Sequence, residues 1–285
     1  MFENILIPIS SEFYPKQILK RSLFLAQKFK SKLTFLYIIE EKSLEETDQL
    51  VDSYLSDFEI TQTKKEIIKA KKISADEMVF KDAKDYFKNK KIDFKEKVKK
   101  GEFTPIILNE LKKKKYDLIL MGFEKECRLK YRLLDQVDIP VWIEARSDSR
   151  KILAVTSNLT PNEKVTKMSM KLSKKLGWSL DMLYVIDKED TTVVDEKGKR
   201  SSKKTEDDLI LIGNSFLKKI ENKGVRIKMI KGKIEKQTIK TAENINANLV
   251  VIGKEEKKKG MLGLPVKNVK QKIAGKCEYS ILFVN

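Results

Sequence analysis

The segment Asn4-Ile-Leu-Ile-Pro-Ile-Ser10 returns 147 residues later as Lys151-Ile-Leu-Ala-Val-Thr-Ser157. A chain of 285 residues that repeats itself at that distance is constrained to build one fold twice. The next apolar run keeps the offset, Lys32-Leu-Thr-Phe-Leu-Tyr-Ile-Ile-Glu40 against Ser179-Leu-Asp-Met-Leu-Tyr-Val-Ile-Asp187. Further on the register breaks. Tyr116-Asp117-Leu-Ile-Leu-Met-Gly122 matches Ala247-Asn248-Leu-Val-Val-Ile-Gly253 at an offset of 131, so the second copy is 16 residues shorter before this point. The last runs, Pro140-Val-Trp-Ile-Glu144 and Ser280-Ile-Leu-Phe-Val284, are 140 apart. The loop before the last run is therefore longer in the second copy, 27 positions from Gly253 to Ser280 against 18 from Gly122 to Pro140.

Short continuous apolar runs read as strands buried on both faces. Between the first two strands of each copy, residues 15–30 and 161–176 carry apolar side chains at helical spacing, Ile18, Leu19, Leu23, Leu25, Ala26 and Phe29 among them. Strand, helix and strand in that order make a parallel crossover. Third strands fall near residues 92–98 and 225–230, each leading to a glycine, Gly101 or Gly232, and then a helix. Thr104 is placed as the N-cap of the first of these helices, with Pro105 in its opening turn. A helix over residues 205–222 ends at Gly224, and the polar stretch 188–204 reads as a mobile loop. The expected fold class is α/β, two tandem doubly wound five-stranded parallel sheets of Rossmann-like type with helices on both faces. The domains are residues 1–146 and 151–285. Such sheets take ligands outside the carboxyl ends of their strands, where the strand order reverses.

Composition removes several function classes. Histidine is absent, which excludes Ser-His-Asp and Cys-His nucleophilic catalysis and HExxH zinc chemistry. Cys127 and Cys277 lie outside any CxxC and make neither a zinc cage nor a disulfide framework. No apolar run approaches the ~18 residues of a membrane span, and no signal-peptide pattern opens the chain, so a cytoplasmic protein is expected. Gly-x4-Gly-Lys-Ser/Thr and Gly-x-Gly-x2-Gly are both missing. The net charge of +18 is uneven: +5 over residues 1–150 and +13 over residues 151–285. Residues 254–276 hold eight lysines against two glutamates, so an acidic partner would favour this loop and helix.

The repeated strand motifs, Gly101-Glu-Phe-Thr-Pro-Ile-Ile-Leu, Asp117-Leu-Ile-Leu-Met-Gly122 and the tail from Asn248 to Val284 together resemble the universal stress proteins in their tandem two-domain form. The resemblance implies a non-catalytic role in stress response or regulation. It also implies an internal pseudo-dimer through the last strands, whose apolar edges 141–143 and 281–284 would suit it, and leaves a further homodimer open. In nucleotide-binding members an Asp closes the first strand and a Gly-x2-Gly-x9-Gly-Ser/Thr loop follows the fourth. Carried over, the Asp falls on Ser10 in the first copy and on Thr156 in the second. The first copy follows Gly122 with Glu124-Lys125-Glu126 and lacks the loop length, so its ligand loop is degenerate. A nucleotide, ATP or another adenine nucleotide, is expected only in the second copy. Val185, Ile252 and Gly253 would lie at the base end, and Gly260, Gly263 and nearby lysines at the phosphates. The family's second glycine falls on Glu256, and a gap-free alignment would put the final Gly-Ser on Lys267 and Asn268 instead.

Two alternatives stand beside that expectation. One is a polyanion surface over residues 254–276; nucleic acid itself is disfavoured, because no aromatic residue interleaves the lysines there. The other is weak nucleotide hydrolysis, for which Asp187 is the strand-end carboxylate that could hold a metal.

Overall fold

The computed structural model describes residues 1–10, 16–40, 66, 69–70, 79–122, 133–134, 136–145, 149–160, 162–195, 199–253, 273 and 279–284. The chain divides into two compact units, Met1–Gly122 and Phe123–Asn285. In the first, β1 (Asn4–Ser10), β2 (Lys32–Ile39), β3 (Phe94–Lys100) and β4 (Leu118–Gly122) run in parallel in the order β3-β2-β1-β4. Helices α1 (Gln17–Phe29), α2 (Lys81–Phe87) and α3 (Phe103–Lys113) accompany them. Every residue of β4, and every residue of β1 and β2 after the first, is buried, as expected of a sheet covered on both faces. Phe35 of β2 packs between Phe87 and Phe94, with centroids 6.1 and 5.0 Å away. Burying such a ring contributes roughly 2 kcal/mol.

The second unit contains β5 (Val141–Glu144), β6 (Lys151–Ser157), α4 (Asn162–Leu176), β7 (Ser179–Ile186), α5 (Glu206–Glu221), β8 (Arg226–Lys231), α6 (Ile234–Asn244), β9 (Leu249–Gly253) and β10 (Ser280–Val284). Its order is β5-β10-β9-β6-β7-β8, parallel throughout except for the antiparallel β5–β10 pair. By repeat position β5 ends the first copy, yet it packs with the second unit because it pairs with β10. A buried network fixes that pairing. Trp142 Nε1 donates to Glu144 Oε2 at 2.9 Å, Ser280 Oγ donates to the same oxygen at 3.0 Å, and Ala145 N donates to Ser280 Oγ at 3.0 Å.

The offsets read from the sequence recur as matched hydrogen bonds. Lys32 N reaches Glu3 O in the first unit as Ser179 N reaches Arg150 O in the second. Asp117 N to Asn4 O corresponds to Asn248 N to Lys151 O, and Gly101 N to Ile39 O corresponds to Gly232 N to Ile186 O. Gly101 and Gly232 share φ values of +140° and +143°, a conformation that glycine alone adopts readily. A Cβ on either would also lie 3.1 Å from Ile106 or 2.7 Å from Gln237 in the helix that follows. The turn from third strand to helix thus needs glycine in both copies.

One local expectation changes. Helix α3 begins at Phe103 with Glu102 in the N-cap position, so Thr104 is its second residue and not its cap. The first amide bonded back into the helix is Ile106 N, to Glu102 O, and Pro105 falls where an N–H has no partner to lose. At α5 the expectation holds: Thr205 caps the helix with a reciprocal bond to Asp208, and Gly224 at φ +70° ends the turn beyond it.

Candidate functional site

Strand order in the second unit reverses between β6 and β9: β6 leads outward through β7 and β8, and β9 returns to its other side. Val155 pairs with Ile252, so Thr156 and Gly253 follow at the carboxyl ends on the two sides of this switch point. This is where the fold places a ligand. Thr156, Val185 and Ile252 are at most 1% exposed, and Gly253 is buried. Gly260, Gly263, Lys267 and Asn268 lie outside the described residues, as do residues 254–272 and 274–278 of the lysine-rich stretch.

The register moves one assignment. Ser10 pairs with Ile38 in the first unit and Ser157 pairs with Val185 in the second, so Ser157, not Thr156, is the counterpart of Ser10. Successive strand side chains face opposite ways, so a slip of one residue exchanges the faces. Thr156 Oγ1 donates to Leu183 O of β7 at 2.8 Å and is spent inside the sheet. Ser157 shapes the turn into α4: its N–H donates to Thr160 Oγ1 and Asn162 Oδ1, and its Oγ accepts from Leu159 N. Neither copy offers a carboxylate at this position.

Asp187 is engaged by three backbone N–H groups. Its Oδ1 accepts from Glu189 N at 2.9 Å and Asp190 N at 3.2 Å, and its Oδ2 accepts from Ile234 N at 3.0 Å. Ile234 is the first residue of α6, so the carboxylate both closes the turn after β7 and caps a helix N-terminus, where a negative charge is favoured. Among the described residues, no three His, Cys, Asp or Glu side chains gather closely enough to hold a metal ion.

The described residues of the stretch expected to be a mobile loop, 188–195 and 199–204, are tied to their surroundings. Asn158, 1% exposed and directly after β6, holds the stretch at three points. Its Nδ2 donates to Asp190 O at 2.8 Å and Thr192 O at 2.9 Å, and its Oδ1 accepts from Asp187 N at 2.8 Å. Val194 N returns a bond to Asn158 O at 2.7 Å, and Val194 is buried. Arg200 pairs with Asp190 at 2.8 Å and reaches Thr192 Oγ1 at 2.9 Å. Val193 packs against the cluster of Tyr184, Ile186 and Leu209. Asn158 was not among the residues singled out from the sequence. The pair Val193-Val194, apolar inside an otherwise charged loop, was the available signal.

Charge pairs outside this network tie the same segment to its neighbours. Glu189 beside Lys233 raises that lysine's pKa above its ordinary value, and Lys231 with Lys188 holds the Glu206 carboxyl below its own. These groups are solvent-exposed and add little stability.

With the geometry in place, comparison with known proteins fixes the family. The chain matches the universal stress protein family twice, over residues 1–142 and 149–285, and belongs to it as a tandem two-domain member. Its fold is shared with a provisionally assigned universal stress protein from Pseudomonas aeruginosa UCBPP-PA14, 13% identical, with a TM-score of 0.66 over 99% of this chain and 93% of that one. A universal stress protein from Archaeoglobus fulgidus DSM 4304, also 13% identical, gives a TM-score of 0.63 over 98% of each chain. No curated protein matches the sequence. Among the described residues, no helix is long and apolar enough to cross a membrane.

Proposed function

We propose that this tandem universal stress protein works in the stress response by binding rather than by turnover, and that its ligand is an adenine nucleotide, ATP first, held by the second copy. The observation that carries the reading is the engagement of Asp187. The strand-end carboxylate that could have held a metal accepts three backbone N–H groups instead. The chain has no histidine, and among the described residues no three His, Cys, Asp or Glu side chains gather as a metal site would require. The position beside Gly253, followed by the longer basic loop, favours the second copy, since lysines and a helix N-terminus attract phosphate even where glycines are lost. The antiparallel β5–β10 pairing supports the internal pseudo-dimer, with a further homodimer left open. Incubating the protein with magnesium and ATP tests the reading: binding without release of ADP is expected. Magnesium-dependent turnover that Asp187→Ala abolishes without lowering the melting temperature would overturn it.

A further inference from the structure

The loop after β6 in the second copy is bound by the segment that follows β7. Residues 187–194 leave β7, cross to the end of β6 and are fastened there by Asn158, with Arg200 holding Asp190 and Thr192 from the returning side. The loop after β6 is buried: Asn158, Leu159 and Thr160 are 1%, 3% and 2% exposed, although they form the connection to a helix, which ordinarily runs over the surface. Val194 is 4% exposed and bonded to the backbone of the same loop. A polar side chain buried this deeply persists only when its hydrogen bonds are made, and Asn158 makes them with the segment after β7.

We infer that residues 187–194 form a strap that competes with ligand at the carboxyl ends of β6 and β7, and that Asn158 is the positioning residue that keeps it closed. The inference rests on the nucleotide reading above and adds a gate to it. A nucleotide reaches the crevice only in the fraction of molecules whose strap is open, so its apparent affinity falls by that fraction. The Asp190–Arg200 pair, at 17% and 19% side-chain exposure, is the outer fastening, and Asn158 the inner one.

The test pairs two readouts on the full chain, for the wild type, Asn158→Ala and Arg200→Ala. Hydrogen exchange at the Asp187 and Val194 amides reports the strap, and calorimetric titration with ATP reports the site. Asn158→Ala removes three hydrogen bonds, so exchange at Asp187 and Val194 should accelerate by about tenfold or more. ATP affinity should rise by a similar factor as the open fraction grows. Arg200→Ala, which leaves the buried loop intact, should move both readouts the same way by a smaller factor and covers the case in which Asn158→Ala does not fold. If exchange and ATP affinity are both unchanged in the variants while ATP still binds, the strap is overturned and the nucleotide reading stands. If exchange accelerates and ATP binds none of the three proteins, the nucleotide reading fails and the gate falls with it.

Discussion

Replacing Asp187 with alanine separates a structural carboxylate from a metal-holding one. The side chain is 4% exposed and accepts from Glu189 N, Asp190 N and Ile234 N. A hydrogen bond to an ionised group contributes roughly 1.5–3 kcal/mol. The Ile234 bond is buried, so its amide would be left unpaired away from water, whereas those of Glu189 and Asp190 are part-buried and recover water when the carboxylate is lost. The net loss should therefore be about 3 kcal/mol, most of it at the N-terminus of α6. For a unit of this size that lowers the melting temperature by about 10 °C. Asp187→Asn keeps one acceptor oxygen for the turn but presents an NH2 group towards Ile234 N, and should fall between the two. Thermal unfolding followed by circular dichroism reads both variants. If Asp187→Ala melts within about 1 °C of the wild type, the carboxylate does not hold the turn and helix together, and the account of the site is wrong.

Two further perturbations probe the core of each unit. The Tyr184 hydroxyl is fully buried with no hydrogen-bond partner among the described residues, and burial pushes its pKa up to about 12. Tyr184→Phe should leave stability unchanged or raise it by up to ~1 kcal/mol, and a clear loss in a urea titration would show that the hydroxyl has a partner. Glu110 of α3 is buried; burial alone would raise its pKa, but hydrogen bonds from Lys97 and Tyr116 outweigh that and hold it below the ordinary 4.5. Its stabilising contribution is therefore complete above that value and fades as the pH falls through the lowered one. Urea midpoints should drop less steeply in Glu110→Gln than in the wild type as the pH falls below 4.5, and identical slopes would refute the assignment.

The repeat was legible because buried parallel strands are continuous apolar runs and the turns between them reuse the same residue types. Offsets of 147 and 131 counted along the sequence reappear as equivalent backbone hydrogen bonds on Glu3 and Arg150, and on Ile39 and Ile186. Placing a single residue was harder. Thr156 and Ser157 are both small hydroxyl residues at a strand end; the offset of 147 sets Ser157 opposite Ser10, and its pairing with Val185 agrees. Asp187 looked available for a metal because the N–H groups that donate to it lie in the backbone, at Ile234 as much as at its immediate neighbours. Asn158 escaped notice for the same reason: its partners are 29 to 34 residues away along the chain. Composition marked its loop as solvated, and the bonds that pin the loop leave no periodic trace.

The central claim is that one copy of a diverged pair binds a nucleotide and neither turns it over. Calorimetric titration of ATP into the full chain, with the product analysed afterwards, tests it most directly. The account predicts one site per chain, weak in the wild type, with ATP recovered intact. Two equivalent sites, no heat at millimolar ATP, or accumulation of ADP would contradict it.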